Sequence, residues 1–170
     1  MILGMSVSAF TMLHVALSLT GIVCGLIVLL GMIAGVRLNG LTTTFLVTTF
    51  LTSVTGFPIP PLGLDPPRIV GTASLVMLAL AVSALYVFRL SGSWRNVYVI
   101  TAAIALYLNC FVAVVQSFQK LPPLQALAPT QSEPPFLIAQ AAVLAAFVAL
   151  GFLASRRFHP RAKAAVFGLP

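Results

Sequence analysis

The chain has 170 residues, of which 60% are hydrophobic and only 6% are charged, and its formal net charge is +7. Too few polar side chains are present to cover a water-exposed surface, so the composition excludes an ordinary soluble domain. The basic side chains flank long apolar segments and do not cluster with aromatic residues, which argues against nucleic-acid binding. We therefore predict a single all-α integral membrane domain whose first partner is the lipid bilayer.

Five apolar segments, taken in chain order, are long enough to cross a bilayer as helices. We predict spans over 7–36, 41–57, 69–88, 97–118 and 136–154. The second span is the shortest, and it still rises about 25 Å as a helix. Two proline-rich outer loops, 58–68 and 119–135, separate the later spans. The predicted domain is thus a transmembrane five-helix bundle over 1–155, followed by a basic tail over 156–170.

The basic residues are distributed unevenly around these spans. Five spans put seven of the nine Lys and Arg on one side, namely Arg37, Arg89, Arg95, Arg156, Arg157, Arg161 and Lys163. Arg68 and Lys120 fall on the other side, together with both acids, Asp65 and Glu133. Because basic residues concentrate on the cytoplasmic side, we predict that the N-terminus lies outside and the C-terminus lies in the cytoplasm.

The first span contains two pairs of glycines spaced four residues apart, Gly21 with Gly25 and Gly31 with Gly35. Small residues at this spacing let another helix approach closely. Packing within one chain and contact between copies in a homo-oligomer both remain open. The two cysteines, Cys24 and Cys110, differ in predicted depth by roughly 13 Å, so we expect no disulfide between them.

Polar side chains inside the predicted spans and beside them gather toward the outer surface. The candidate ligand-binding residues are His14, Thr52, Asn109, Gln116, Lys120, Glu133 and Gln140. Threonine hydroxyls can bond to their own helix and amides can join neighbouring helices, so each residue also has a structural explanation. Because an unpaired amide is costly in hydrocarbon, we predict that His14, Asn109, Gln116 and Gln140 face one shared cavity that opens outward.

The second outer loop holds one basic and one acidic residue, Lys120 and Glu133, which bracket its proline-rich segment. We expect the two to pair, since no other opposite charges are available there. Ser132 and Glu133 are also candidate caps for the last helix, because Pro134–Pro135 suits a first helical turn.

The segment Leu127–Phe136 reads Leu-Ala-Pro-Thr-Gln-Ser-Glu-Pro-Pro-Phe, and shorter runs at 55–58, 94–109 and 115–120 accompany it. These stretches resemble a group of small bacterial inner-membrane proteins that carry a similar outer loop. The resemblance implies a multi-pass protein of the bacterial inner membrane. It implies no activity and assigns no catalytic roles.

The sequence has no carboxylate pair, nucleophile–base set or phosphate-binding loop, so it favours a protein that is not an enzyme. We expect an outward-facing polar site that binds a small or lipophilic ligand, or a partner membrane protein in a larger complex. One alternative is a transporter or conduction subunit formed by oligomerisation. A second is a quinone-linked redox accessory subunit, in which His14 and Gln116 would donate to the quinone carbonyls.

The sequence identifies no cofactor. His14 is the only histidine in a predicted span, because His159 lies in the tail. Two axial histidines for haem are therefore not available within one chain, although one His14 from each of two copies stays open.

Overall fold

The computed structural model describes residues 1–59 and 66–159, and this part of the chain contains helices and no strand. The helices are α1 (Val7–Ile33), α2 (Asn39–Gly56), α3 (Pro66–Val82), α4 (Trp94–Lys120), α5 (Pro122–Leu127) and α6 (Pro134–Arg157). A π-helical turn, Ser83–Val87, continues α3. Among the sequence predictions, those for Asp65, Arg161 and Lys163 lie outside the described residues.

Helix α2 runs back along α1 in the opposite direction. At one end of the pair, Leu38 contacts Gly31, and at the other end His14 bonds to Thr55. The two helices therefore lie side by side over nearly the whole of α2.

Helix α4 is the central element, since it packs against α1, α3 and α6. Helix α6 is antiparallel to α4: Phe136 packs edge-on against Phe118 near one end, and Gly151 approaches Ala103 near the other. The π-helical turn leads into α4 through a short connection in which Phe88 and Trp94 stack, with ring centroids 3.7 Å apart.

Four helical segments of the described chain are long and apolar enough to cross a membrane: α1, α3 with its π-helical turn, α4 and α6. The all-α, multi-pass class predicted from the sequence is thereby confirmed. Helix α2, with 18 residues of which seven are threonines, is not in this set.

The described arginines other than Arg68 all lie at one end of the bundle, which we call the basic end: Arg37, Arg89, Arg95, Arg156 and Arg157. This end is formed where α1, the π-helical turn and α6 finish and where α4 begins. The rings of Tyr98 and Phe158, at the start of α4 and just after α6, lie 6.1 Å apart there.

The opposite end, which we call the loop end, contains the end of α2 and the segment 121–133. The Arg68 guanidinium donates hydrogen bonds to the carbonyl oxygens of Phe57 and Ile59 at 2.8–3.2 Å, which ties the start of α3 to the end of α2.

Three of the four predicted packing glycines lie at close helix contacts. A Cβ atom on Gly25 would lie 2.6 Å from Leu106 Cδ1 and 2.8 Å from the Phe45 ring, so only glycine fits there without movement. Gly21 faces α2 and α4, and Gly31 faces Leu38. Gly35 differs, because it follows α1 with a φ of +73°, a conformation that terminates helices and favours glycine.

The second outer loop is more regular than the sequence predicted, since it contains α5. Proline suits the first turn of a helix because its fixed φ is already helical. An N–H group at that position would make no hydrogen bond within the helix, so its absence costs nothing there. The loop then packs back on the bundle through Ala128, which is buried in a small cluster with Phe118 and Phe136. The loop is therefore an ordered cap.

Candidate functional site

The predicted polar residues do not converge on one cavity. His14 Nδ1 lies 2.9 Å from Thr55 Oγ1 at the contact between α1 and α2. Asn109 bonds to Ser18 at the contact between α1 and α4. Gln140 bonds to α4 from α6. The expectation of one cavity shared by the four residues is therefore wrong, because these three side chains pair separately at three different helix contacts.

The Asn109 amide makes the most specific of these contacts. Ser18 Oγ donates to Asn109 Oδ1 at 2.7 Å, and Asn109 Nδ2 donates to the Ser18 carbonyl oxygen at 3.3 Å. The neighbouring space is tight, since a Cβ atom on Gly21 would lie 3.0 Å from Thr49 Oγ1 and 3.1 Å from Thr48 Oγ1. This polar contact is closed, and it fixes the approach of α1, α2 and α4.

The remaining predicted residues of the spans have separate surroundings. Thr52 Oγ1 donates to the carbonyl oxygen of Thr48 at 2.8 Å. Gln140 Nε2 donates to the carbonyl oxygen of Phe111 at 3.2 Å, and Gln140 Oε1 is buried without a partner in the described chain. Gln116 is half-buried on α4 and makes no hydrogen bond to any described residue.

The predicted Lys120–Glu133 pair does not form among the described residues. Glu133 is the N-cap of α6, but Pro134–Pro135 offers no N–H for its carboxylate. The carboxylate instead accepts hydrogen bonds from Thr130 N, Thr130 Oγ1 and Ser132 N, at 2.9–3.1 Å. Desolvation acts to raise the pKa of Glu133, but these hydrogen bonds together outweigh it and hold the pKa below its usual value.

A groove between α4 and α6, which we call the α4–α6 groove, is a concave feature of the described bundle surface with a volume of about 310 Å³. It is lined by Ile100, Ala103, Ile104 and Tyr107 of α4 and by Leu144, Phe147, Val148, Gly151, Phe152 and Ser155 of α6. Nearly all of its surface is apolar.

Two small residues facing each other create the groove. A Cβ atom on Gly151 would lie 3.7 Å from the Ala103 Cβ, so the helices are close here yet fill little space. The rings of Tyr107 and Phe147, with centroids 5.9 Å apart, form part of the groove wall. From Tyr107 to the far end at Ile100, it extends roughly 10 Å along α4, toward the basic end.

Sequence reasoning missed this groove because hydropathy does not separate a side chain that lines a groove from one that faces lipid. A usable signal was present, since Ala103 and Gly151 are small residues in the same half of two neighbouring predicted spans. Such pairs mark places where two membrane helices come close.

No family model, no curated protein and no solved structure matches this chain. Within the described residues, no group of three or more His, Cys, Asp and Glu could hold a metal ion. The function is therefore argued from the geometry of the bundle.

Proposed function

We propose that this protein is a non-enzymatic, multi-pass protein of the bacterial inner membrane that holds a lipophilic ligand in the α4–α6 groove. The observation that carries the proposal is a concave, almost wholly apolar groove of about 310 Å³ on the outside of the bundle. Sites for small lipophilic molecules are typically concave and apolar, often between the helices of a bundle. The resemblance of Leu127–Phe136 to an outer loop of bacterial inner-membrane proteins supports the location.

The proposal includes α2 as a fifth span. Its composition overstates its polarity, because six of its hydroxyl side chains donate to the carbonyl oxygen four residues earlier. They are Thr43, Thr44, Thr48, Thr52, Ser53 and Thr55. A hydroxyl that bonds to its own helix backbone costs little in hydrocarbon. The side-by-side course of α1 and α2 also supports a common depth.

With α2 in the bilayer, the orientation follows from charge. All five arginines of the basic end then lie on one side, as do the two basic residues of the tail. The positive-inside bias favours a cytoplasmic basic end, an N-terminus outside and a loop end outside.

The alternatives that depend on the outer polar residues receive less support. The quinone hypothesis needs His14 and Gln116 to act at one site, but His14 bonds to Thr55 of α2, and no contact between His14 and Gln116 is found among the described residues. The expected outer polar site is likewise divided among separate pairs. The groove therefore replaces it as the candidate ligand site.

Shape accounts for binding in the groove better than hydrophobicity does. Inside a bilayer the tails of surrounding lipids are as apolar as the groove, so no hydrophobic effect drives the ligand in. A concave surface still offers more atoms at contact distance than a flat one, and those small dispersion attractions add up. The proposal thus predicts a ligand whose chain matches the groove.

The test uses protein purified in a mild detergent and analysed by native mass spectrometry for bound lipophilic molecules. The variant Gly151→Leu fills the groove at its narrowest point, and we expect it to lose most of the bound material. The control Ala149→Leu adds similar bulk at an exposed position of α6 outside the groove. If both variants retain the same amount of bound lipophilic material, the proposal is contradicted. It is also contradicted if the molecule that Gly151→Leu displaces proves to be a co-purifying protein.

A further inference from the structure

One arginine of each helix contacts a residue at or next to the end of the α4–α6 groove that is nearest the basic end. On α6, the Arg156 guanidinium lies 4.8 Å above the ring of Phe152, a residue of the groove wall. On α4, Arg95 donates to Asn96 Oδ1 at 3.1–3.3 Å. Asn96 precedes the groove residue Ile100 by one helical turn, so it lies on the same face.

The stacking on Phe152 holds the Arg156 guanidinium against a residue of the groove wall. The bond to Asn96 places the Arg95 guanidinium beside a residue on the groove face of α4. Ser155, which also lines the groove, lies beside Arg156 in sequence. The groove thus combines an apolar channel with a basic mouth.

The basic mouth has no acidic counterpart in the described chain. Glu133 is the one acid among the described residues, and it lies at the opposite, loop end of the bundle. Arginine's planar guanidinium matches phosphate oxygens in pairs, and basic pockets between membrane helices commonly take anionic lipid headgroups.

We propose that the α4–α6 groove is a binding site for an anionic glycerophospholipid, with one acyl chain in the groove and the headgroup phosphate between Arg95 and Arg156. This inference rests on the proposed function and names the class of ligand. The apolar wall selects for the chain, and the two arginines select for the negative headgroup.

The experiment measures lipid binding to the purified protein by native mass spectrometry. Two probes with identical acyl chains are titrated separately: phosphatidylglycerol, which is anionic, and phosphatidylcholine, which is zwitterionic. Because each arginine near an anionic headgroup contributes roughly fivefold in affinity, we expect a clear preference for phosphatidylglycerol. We expect the double variant Arg95→Gln/Arg156→Gln to lose that preference and still bind both lipids.

The matched control is Arg89→Gln, which removes the same charge from the basic end at the turn between the π-helical turn and α4. We expect it to keep the preference. Equal binding of both lipids by the unaltered protein would overturn the headgroup assignment. So would an Arg89→Gln variant that loses the preference for phosphatidylglycerol as fully as the double variant does. If the headgroup assignment fails but Gly151→Leu abolishes the binding of both lipids, the proposed function stands without headgroup selectivity. If Gly151→Leu changes the binding of neither lipid, both proposals fail.

Discussion

Replacing Gly25 with alanine tests whether α1 and α2 pack as closely as described. The added Cβ atom would lie 2.6 Å from Leu106 Cδ1 and 2.8–2.9 Å from two atoms of the Phe45 ring. Both side chains lie in the buried core, so neither can move away freely. Such overpacking costs about 1–3 kcal/mol, and alanine's better helix propensity returns up to about 1 kcal/mol. We expect a net loss of about 1–2 kcal/mol in the free energy of unfolding.

The matched control is Gly40→Ala in α2, because nothing lies within 4 Å of the Cβ position there. We expect it to be neutral or to stabilise the protein by up to about 1 kcal/mol. Unfolding can be followed in mixed micelles by the fluorescence of Trp94, the single tryptophan, which stacks on Phe88 and should report the loss of the fold. If Gly25→Ala is as stable as Gly40→Ala, the two helices do not meet as described, and the case for α2 as a buried span is lost.

Three further predictions concern the polar groups. In a double-mutant cycle, the effects of Asn109→Ala and Ser18→Ala on the free energy of unfolding should not add, and the coupling energy should be about 0.6–1.7 kcal/mol. If the two effects add, the pair does not form. Thr49→Val should stabilise the protein by about 1 kcal/mol or more, because it removes a buried hydroxyl that has no hydrogen-bond partner among the described residues. Thr52→Val should be nearly neutral in the same unfolding assay, since that hydroxyl bonds to its own helix. Because the pKa of Glu133 lies below its usual value, its ionised form stabilises its turn at neutral pH, and that stabilisation is lost as the pH falls through the lowered pKa. The protection factors of the amides in this turn, which correct for the slower intrinsic exchange at low pH, should therefore fall on acidification in the unaltered protein. A Glu133→Gln variant with the same acid response would contradict this assignment.

The course of the helices was predictable because apolar length and charge position are both visible in a sequence. Helices α4 and α6 extend beyond their predicted spans at both ends, as α4 does from Trp94 to Lys120 where 97–118 was predicted, whereas α1 ends three residues before the end of its span. A hydropathy boundary indicates where hydrocarbon ends, while a helix continues until a cap or a proline stops it. Helix α5 was not predicted for a different reason: the proline-rich segment 119–135 was expected to be a loop, although proline also suits the first turn of a helix, as it does in α5.

The candidate site was less predictable because the sequence gives the depth of a residue in the bilayer but not the neighbouring helix that its side chain faces. His14, Asn109 and Gln140 were expected to meet because they lie at similar depth, but they point toward three different helix contacts. Hydrogen-bond partners near in sequence were also preferred to distant ones. Glu133 was expected to reach Lys120, yet backbone and hydroxyl donors of its own turn satisfy its carboxylate.

The central claim is that α2 crosses the bilayer, and cysteine labelling of intact and permeabilised cells tests it most directly. Single cysteines at Leu3, Gln125 and Ala164, placed in a background with both native cysteines replaced by alanine, report the sides of the N-terminus, the second outer loop and the tail. With five spans, Leu3 and Gln125 should both react from outside, and Ala164 should react only after permeabilisation. Labelling of Leu3 and Gln125 from opposite sides would contradict the account, because it would mean that only four helices cross and that α2 does not.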